Sequence, residues 1–311
     1  MDLAGRLIVV TGASSGLGRA LALELAREEQ ADVVLAARRR ERLESLREEI
    51  ESLGRRAWVC EVDLATPSGP ATLLRDAATA AAEHSADARN AADARNAADA
   101  RNAAAPARAV LPFGLVNNAG ITEYGPVREL SESSLARILA LNAHATVELT
   151  RAFVAAVAGL HDSRRDDAPA APGTPAAAIL SVTSVAALLG VPYQAAYAAS
   201  KHAIHGFLEA LHFELLALRR SGGPRIVTTE VAPGGIATEM SDTSGLAERF
   251  ASGPNDAFFA PPERVARRAL RAWRHERRLA VIGVESKLVA AASRFLPRAL
   301  VGRIAERLYR P

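Results

Sequence analysis

The sequence predicts an α/β fold, a doubly wound parallel sheet with helices on both faces. Three observations predict it. The apolar runs Leu7–Val10, Val33–Ala36 and Ala57–Val62 have strand length. They alternate with helical stretches, Arg19 to Glu29 and Arg39 to Leu53, the second ended by Gly54. A glycine-rich turn follows the first run directly. Continuous apolar runs, rather than alternating ones, belong to strands covered on both faces. Right-handed crossovers then wind such a sheet in both directions.

The pattern continues down the chain. Pro112 to Val116 reads as a fourth strand, Ser131 to Val157 as mostly helix, and Ile179 to Val182 as a fifth strand. Tyr197 to Arg219 is one long helix, stopped by Ser221-Gly222-Gly223-Pro224, and Ile226 to Val231 is a sixth strand. Residues 240–262 lack periodicity, contain Gly253-Pro254 and Pro261-Pro262, and read as a lid or loop. Two stretches interrupt the order. The hexapeptide Ala-Asp-Ala-Arg-Asn-Ala occurs three times in tandem from Ala86 to Ala103, so residues 84–105 read as a surface insertion or helical extension. Residues 161–178, rich in Pro, Ala, Asp and Arg, read as a second insertion. The expected organisation is one domain over 1–280 and an extension over 281–311.

Composition narrows the function classes. Nearly half of the 311 residues are hydrophobic, enough for a sizeable core, and a net charge of +3 gives no strong field for nucleic acid. The single cysteine, Cys60, leaves no disulfide within the chain; it reads as a core residue and suits a cytoplasmic location. The first strand starts so near Met1 that no signal peptide or N-terminal anchor is expected, and no apolar run is long enough to span a bilayer. No His, Cys or Asp cluster has metal spacing.

The motifs carry the chemistry. Thr11-Gly12-Ala13-Ser14-Ser15-Gly16-Leu17-Gly18 lies between a strand and a helix. Glycines let backbone approach a pyrophosphate, and the helix beyond offers free N–H groups and a favourable dipole. The second strand ends in Ala36-Ala37-Arg38-Arg39-Arg40. An acid there would bind a ribose 2′-hydroxyl; none is present, and Arg38 would instead pair with a 2′-phosphate. The decisive set is Ser184, Tyr197 and Lys201. Tyr197 and Lys201 stand four apart on one helix face, and Ser184 ends a strand thirteen residues earlier. An ammonium beside a phenol is expected to bring its pKa toward neutrality, and a serine hydroxyl can bond a carbonyl oxygen and the alkoxide derived from it.

This ensemble resembles the short-chain dehydrogenase/reductase family, in the single-domain branch whose turn is spaced Thr-Gly-x-x-x-Gly-x-Gly. The resemblance covers residues 5–239 apart from the insertions. It implies a Rossmann-type sheet and a hydride-transferring enzyme in which NADP(H) is preferred over NAD(H). Ala37 stands where NAD-preferring relatives carry an acid. The resemblance further implies that Asp63, with Leu64, borders the adenine, and that Asn117-Asn118-Ala119-Gly120 lines the cofactor cleft. In Pro233-Gly234-Gly235-Ile236-Ala237-Thr238, backbone at Ile236 and the Thr238 hydroxyl would hold the carboxamide. Asn142 matches a position that holds a water linking the lysine to solvent, although Ala145 stands where the family often has glycine. Tyr197 is then the general acid/base for a small carbonyl or alcohol substrate, with Lys201 also on the ribose. The rival reading is a non-catalytic NADP(H)-binding regulatory or scaffold protein. A homo-oligomer is expected.

The tail has a character of its own. Leu288, Ala292, Phe295 and Leu296, then Leu300, Val301, Ile304 and Leu308, recur at helical spacing among six lysines and arginines. A basic amphipathic helix of this kind either lies on an anionic membrane or packs on its own domain or another subunit. Peripheral membrane contact would suit a lipid-like substrate.

Overall fold

The computed structural model describes residues 1–95, 111–163, 174–240 and 259–310. Nine strands are found among them: β1 (Leu7–Thr11), β2 (Asp32–Ala37), β3 (Ala57–Glu61), β4 (Gly114–Asn117), β5 (Ala177–Val182), β6 (Ile226–Pro233), β7 (Gly235–Ile236), β8 (Phe259–Ala260) and β9 (Leu279–Ile282). Seven of them form one parallel sheet in the order β3-β2-β1-β4-β5-β6-β9. The helices are α1 (Gly16–Arg27), α2 (Arg40–Ser52), α3 (Gly69–Arg95), α4 (Glu132–Ile138), α5 (Ala145–Asp162), α6 (Ala195–Arg220), α7 (Pro262–Arg274), α8 (Val284–Phe295) and α9 (Arg298–Tyr309).

The period of two along each strand sorts its side chains into two cores. Ile8, Val10, Val33 and Leu35 face α1, α2 and α7, where Leu21, Leu46 and Trp273 meet them. Leu7, Val9, Val34 and Ala36 face α3, α5 and α6, where Leu73, Phe153 and Leu208 meet them. At the start of β2, the Asp32 carboxylate accepts from the Arg56 backbone N–H at 2.9 Å and Arg55 Nε at 3.0 Å, with His84 Nε2 at 3.1 Å. Burial alone would raise its pKa; these bonds outweigh it and hold the group at about 2. Cys60 is buried, and burial with the neighbouring Asp76 pushes its thiol to about 12, so it is an inert core residue.

Several elements differ from expectation at their ends. The fourth strand begins at Gly114 rather than Pro112, because Pro112 has no N–H to pair. The helical stretch from Ser131 is broken by a π-helical turn, Leu139–His144, before α5. The second insertion is narrower than 161–178: α5 runs to Asp162, and Ala177 already pairs with Ile226 in the sheet. Helix α3 carries the first hexapeptide and part of the second as far as Arg95; residues 96–110, with the rest of the repeat, lie outside the described residues. Of the stretch 240–262, residues 241–258 also lie outside them; at its end β8 pairs with β7, and α7 begins. The sheet itself runs past residue 280, since β9 pairs with β6 as far as Ile282.

β1 and β4 are sheet neighbours whose following connections depart to opposite faces. The carboxyl ends of these strands therefore open into a crevice, the place where doubly wound sheets bind ligands.

Candidate active site

The cofactor side of that crevice is knitted together by backbone. Thr11 Oγ1, at the end of β1, donates to the Val116 carbonyl and accepts from the N–H groups of Asn118 and Ala119 at 2.9 and 3.0 Å. Asn118 Nδ2 donates to the Thr11 carbonyl at 3.0 Å. A Cβ on Gly18 would lie 2.1 Å from the Gly12 carbonyl oxygen, so only glycine lets α1 start this close to the turn. Gly12 itself sits at φ +68°, and a Cβ there would meet Ala119 Cα at 2.9 Å. The first turn of α1 carries no acid, so its N–H groups and dipole face the crevice unopposed.

A cleft of about 480 Å³ follows from this arrangement. Every residue expected on the cofactor or the chemistry lines it, except Asn117 and Asn142. The turn residues Gly12, Ser14, Ser15, Gly16, Leu17 and Gly18 form one wall, with Arg38, Asp63 and Leu64 at the far end. Asn118, Ala119 and Gly120 form the floor, and Pro233, Gly234, Ile236 and Thr238 stand opposite. Asp63 has a second task, because its Oδ1 accepts from the Ala65 N–H at 2.9 Å and closes a turn. Asn117 points away into the core, where its Nδ2 donates to Thr150 at 3.0 Å.

Ser184, Tyr197 and Lys201 meet at one end of the cleft. Ser184 is extended at the end of the fifth strand's turn, where its Oγ accepts from the Ala186 N–H at 3.2 Å. Its Oγ also donates to the Pro233 carbonyl at 3.5 Å, and it stands close enough to Tyr197 to favour the phenolate. Lys201 is buried, donates from Nζ to the Val182 carbonyl at 3.1 Å, and lies 5.6 Å from the centre of the Tyr197 ring. Here the expected lowering of the phenol is not found. Burial pushes Tyr197 up to about 12; the Ser184 hydroxyl offsets part of this, and the nearby Tyr309 adds to it. The reason is burial, which outweighs the lowering influence of Ser184. Burial lowers Lys201 to about 8, against the pull of Glu230.

Asn142 stands behind the cleft, in the π-helical turn. It clamps Ile121 with two bonds, accepting from its N–H at 2.9 Å and donating to its carbonyl at 2.8 Å, and donates to Ser200 at 3.0 Å. A Cβ on Gly120 would lie 3.2 Å from Asn142 Oδ1 and 3.6 Å from Lys201 Nζ, so the three groups share one corner. A π-turn at such a corner is a common way to aim a side chain inward.

The family identity follows from comparison with known proteins. A model of short chain dehydrogenases matches residues 6–83 and 74–249. The chain belongs to the short-chain dehydrogenase/reductase family. SadH of Mycobacterium tuberculosis strain H37Rv, described only provisionally as an oxidoreductase, is 28% identical over 306 residues, covering 94% of this chain and 91% of its own. A family member from Burkholderia phymatum, solved with NAD, has a TM-score of 0.68 at 22% identity and covers 94% of this chain and 93% of its own. One from Sphingobium yanoikuyae, solved with NADPH, has a TM-score of 0.64 at 22% identity, covering 93% of each chain. The Rossmann-like sheet and the oxidoreductase family are thereby established, and relatives of this fold bind either NAD or NADP.

Five groups of this dehydrogenase were not singled out from its sequence. Arg39 lines the cleft beside Arg38 and donates to Ser14 at 3.1 Å and Ser15 at 2.7 Å. Glu239 spans Arg39, at 2.8 Å, and Arg42, and these bonds hold its carboxyl below the usual range. Buried Glu230 accepts from Thr183 at 2.7 Å and pairs with His205 at 2.8 Å, so His205 packs on a carboxylate rather than facing solvent. Tyr309, near the C-terminus, packs on Ala186, Val191 and Ala198 beside Tyr197, and its carbonyl accepts from the Tyr124 hydroxyl. Arg39 adjoins Arg38 in the segment after β2; Glu239, Glu230 and Tyr309 are brought from distant segments. Among the described residues no cluster could hold a metal ion, and no helix is long and apolar enough to cross a membrane.

Proposed function

We propose that this dehydrogenase interconverts a carbonyl and a secondary alcohol with NADP(H), using Tyr197 as the general acid/base. The observation that carries the reading is the meeting of Ser184, Tyr197 and buried Lys201 at one end of a cleft whose other end is lined by arginine. The cleft fits the dinucleotide: a glycine turn lets backbone approach, an acid-free helix start favours phosphate, and no carboxylate follows β2 on the chain. Bound there, the nicotinamide would supply or accept a hydride.

The chain's own residues do the rest. Ser184 polarises the carbonyl oxygen and stabilises the developing alkoxide. Tyr197, with a pKa of about 12, keeps its proton at neutral pH and donates it to that oxygen. Lys201, still charged below about pH 8, stabilises the anion left on Tyr197 and bonds the nicotinamide ribose. Asn142 fixes the corner in which Lys201 sits, and supports a proton path to solvent. Arg38 and Arg39 favour the 2′-phosphate of NADP. A scaffold that only binds cofactor needs neither Ser184 nor Tyr197 in this geometry.

The substrate proposed is an apolar, lipid-like carbonyl or alcohol compound. The tail supports surface delivery of such a compound: Leu288, Phe295 and Leu300 stand exposed among Lys287, Arg294, Arg298 and Arg303. Exposed Phe213 and Leu216 on α6 offer a face for a second copy of the chain. On this reading the catalytic domain, expected over 1–280, runs through β9 to Ile282, with the remaining residues its extension, in a cytoplasmic protein that touches a membrane surface. NADPH oxidation measured with a panel of ketones and aldehydes tests the reaction. Cofactor binding without turnover across the panel would favour the scaffold.

A further inference from the structure

A second cavity, of about 350 Å³, opens off the catalytic end of the cleft. The two share Val185, Val191, Gly234, Gly235, Phe259 and Tyr309 as wall. Its roof is the C-terminal hairpin: Val289 and Ala292 of α8, Leu296 just after it, and Ile304 and Leu308 of α9 line it. On α8 these inward positions alternate with outward Leu288 and Phe295, so the hairpin has an apolar inner face distinct from its outer one. A wall this apolar, in continuity with Ser184 and Tyr197, suits the body of a substrate of roughly a dozen heavy atoms, at about 30 Å³ each.

The far wall differs in charge. Helix α7 carries five arginines, and they divide by direction. Arg267 pairs with Glu24 of α1 at 3.1 Å, and Arg274 with Glu29, just past the end of α1, at 3.4 Å. Arg264 and Arg268, one turn apart, line the cavity instead and have no acidic partner among the described residues. Among the described residues the lining holds one carboxylate, Glu285, against these two guanidiniums. Two adjacent forks on one helix face match a single anionic group.

We propose that this cavity takes an anionic amphiphile: a carbonyl compound whose reacting end lies at Ser184 and Tyr197, whose apolar body fills the chamber, and whose anionic group pairs with Arg264 and Arg268. The proposal rests on the carbonyl–alcohol reading above. Its test compares a medium-chain oxo-carboxylic acid with its methyl ester, in the full chain with NADPH. The acid is expected to exceed the ester in kcat/KM by about two- to fivefold, as paired but solvent-accessible charges supply, and added salt should narrow the gap. In the double variant Arg264→Gln, Arg268→Gln the acid-to-ester ratio should fall to near one; both positions are exposed, so folding is not at risk. Equal rates in the wild type, or an unchanged ratio in the variant, would overturn the proposal. Should no carbonyl compound be reduced, the reaction assignment fails, and calorimetric binding of decanoate against decan-1-ol still decides the chamber. Tighter decanoate binding, lost in the double variant, supports the anion site; indifference to the carboxylate rejects it.

Discussion

The two ends of the cleft are built in opposite ways. The cofactor end is a run of turns at the carboxyl ends of β1, β2 and β4, held by bonds such as those the Thr11 hydroxyl accepts from the Asn118 and Ala119 N–H groups. The substrate end is roofed by α8 and α9, which reach it through side-chain packing and contacts such as the Tyr124–Tyr309 bond. One end is local and rigid; the other is assembled from the last residues of the chain. Local geometry can be written in a motif of eight residues, while a roof made by a distant hairpin leaves no contiguous mark.

The largest test of this contrast is Tyr197→Phe, at the junction of the two ends. Removing the hydroxyl deletes the proposed acid and little packing, so kcat should fall by about 10²–10⁴, with cofactor affinity retained. A variant keeping a tenth of wild-type kcat would take the chemistry away from Tyr197.

Truncation after Leu296 comes next. It removes α9 and Tyr309, and strips the cover from Ala186 and Val191. We expect kcat/KM for an apolar ketone to fall by about tenfold or more, the scale of a few buried apolar contacts, and the Kd for NADPH to stay within about twofold. Equal damage to both constants would show that the two ends are one unit. Co-sedimentation of the intact and truncated chains with anionic vesicles, at low and high salt, separates a packing role from a surface-binding one.

A smaller effect should appear in the pH profile. Lys201 sits at about 8 and Tyr197 at about 12. The group lost on raising pH from neutrality is therefore the Lys201 ammonium, since a lysine with a lowered pKa gives up its proton early. Reduction, followed as kcat/KM, should be level below about pH 7 and decline through pH 8. A profile that stays level to pH 10 would remove Lys201 from the rate.

The smallest change is expected from Glu239→Gln. Glu239 occupies Arg39 and Arg42, the cations nearest Arg38. All three groups are substantially exposed, so the competition is weak; NADPH should bind about two- to fivefold more tightly, and NADH should not change. Paired dissociation constants for both cofactors check it, and equal gains for both would mean that Glu239 does not compete with the 2′-phosphate.

The sequence alone determined the parallel sheet, the glycine turn, and the meeting of Ser184, Tyr197 and Lys201. Strand period, helix period and turn chemistry act over a few residues, and the order of strands follows from crossover handedness. Even the position of Asn142 was legible, although its clamp on Ile121 was not. Tertiary structure decided what depends on distant segments meeting. It raised Tyr197 instead of lowering it, because burial beside Tyr309 outweighs the lowering influence of Ser184. It set Glu230 near Lys201 and Glu239 across Arg39. It also turned one face of an amphipathic tail into a wall of the catalytic cavity. An amphipathic pattern states that a face must be covered; what covers it is settled only when the sheet, α7 and the hairpin are folded against one another.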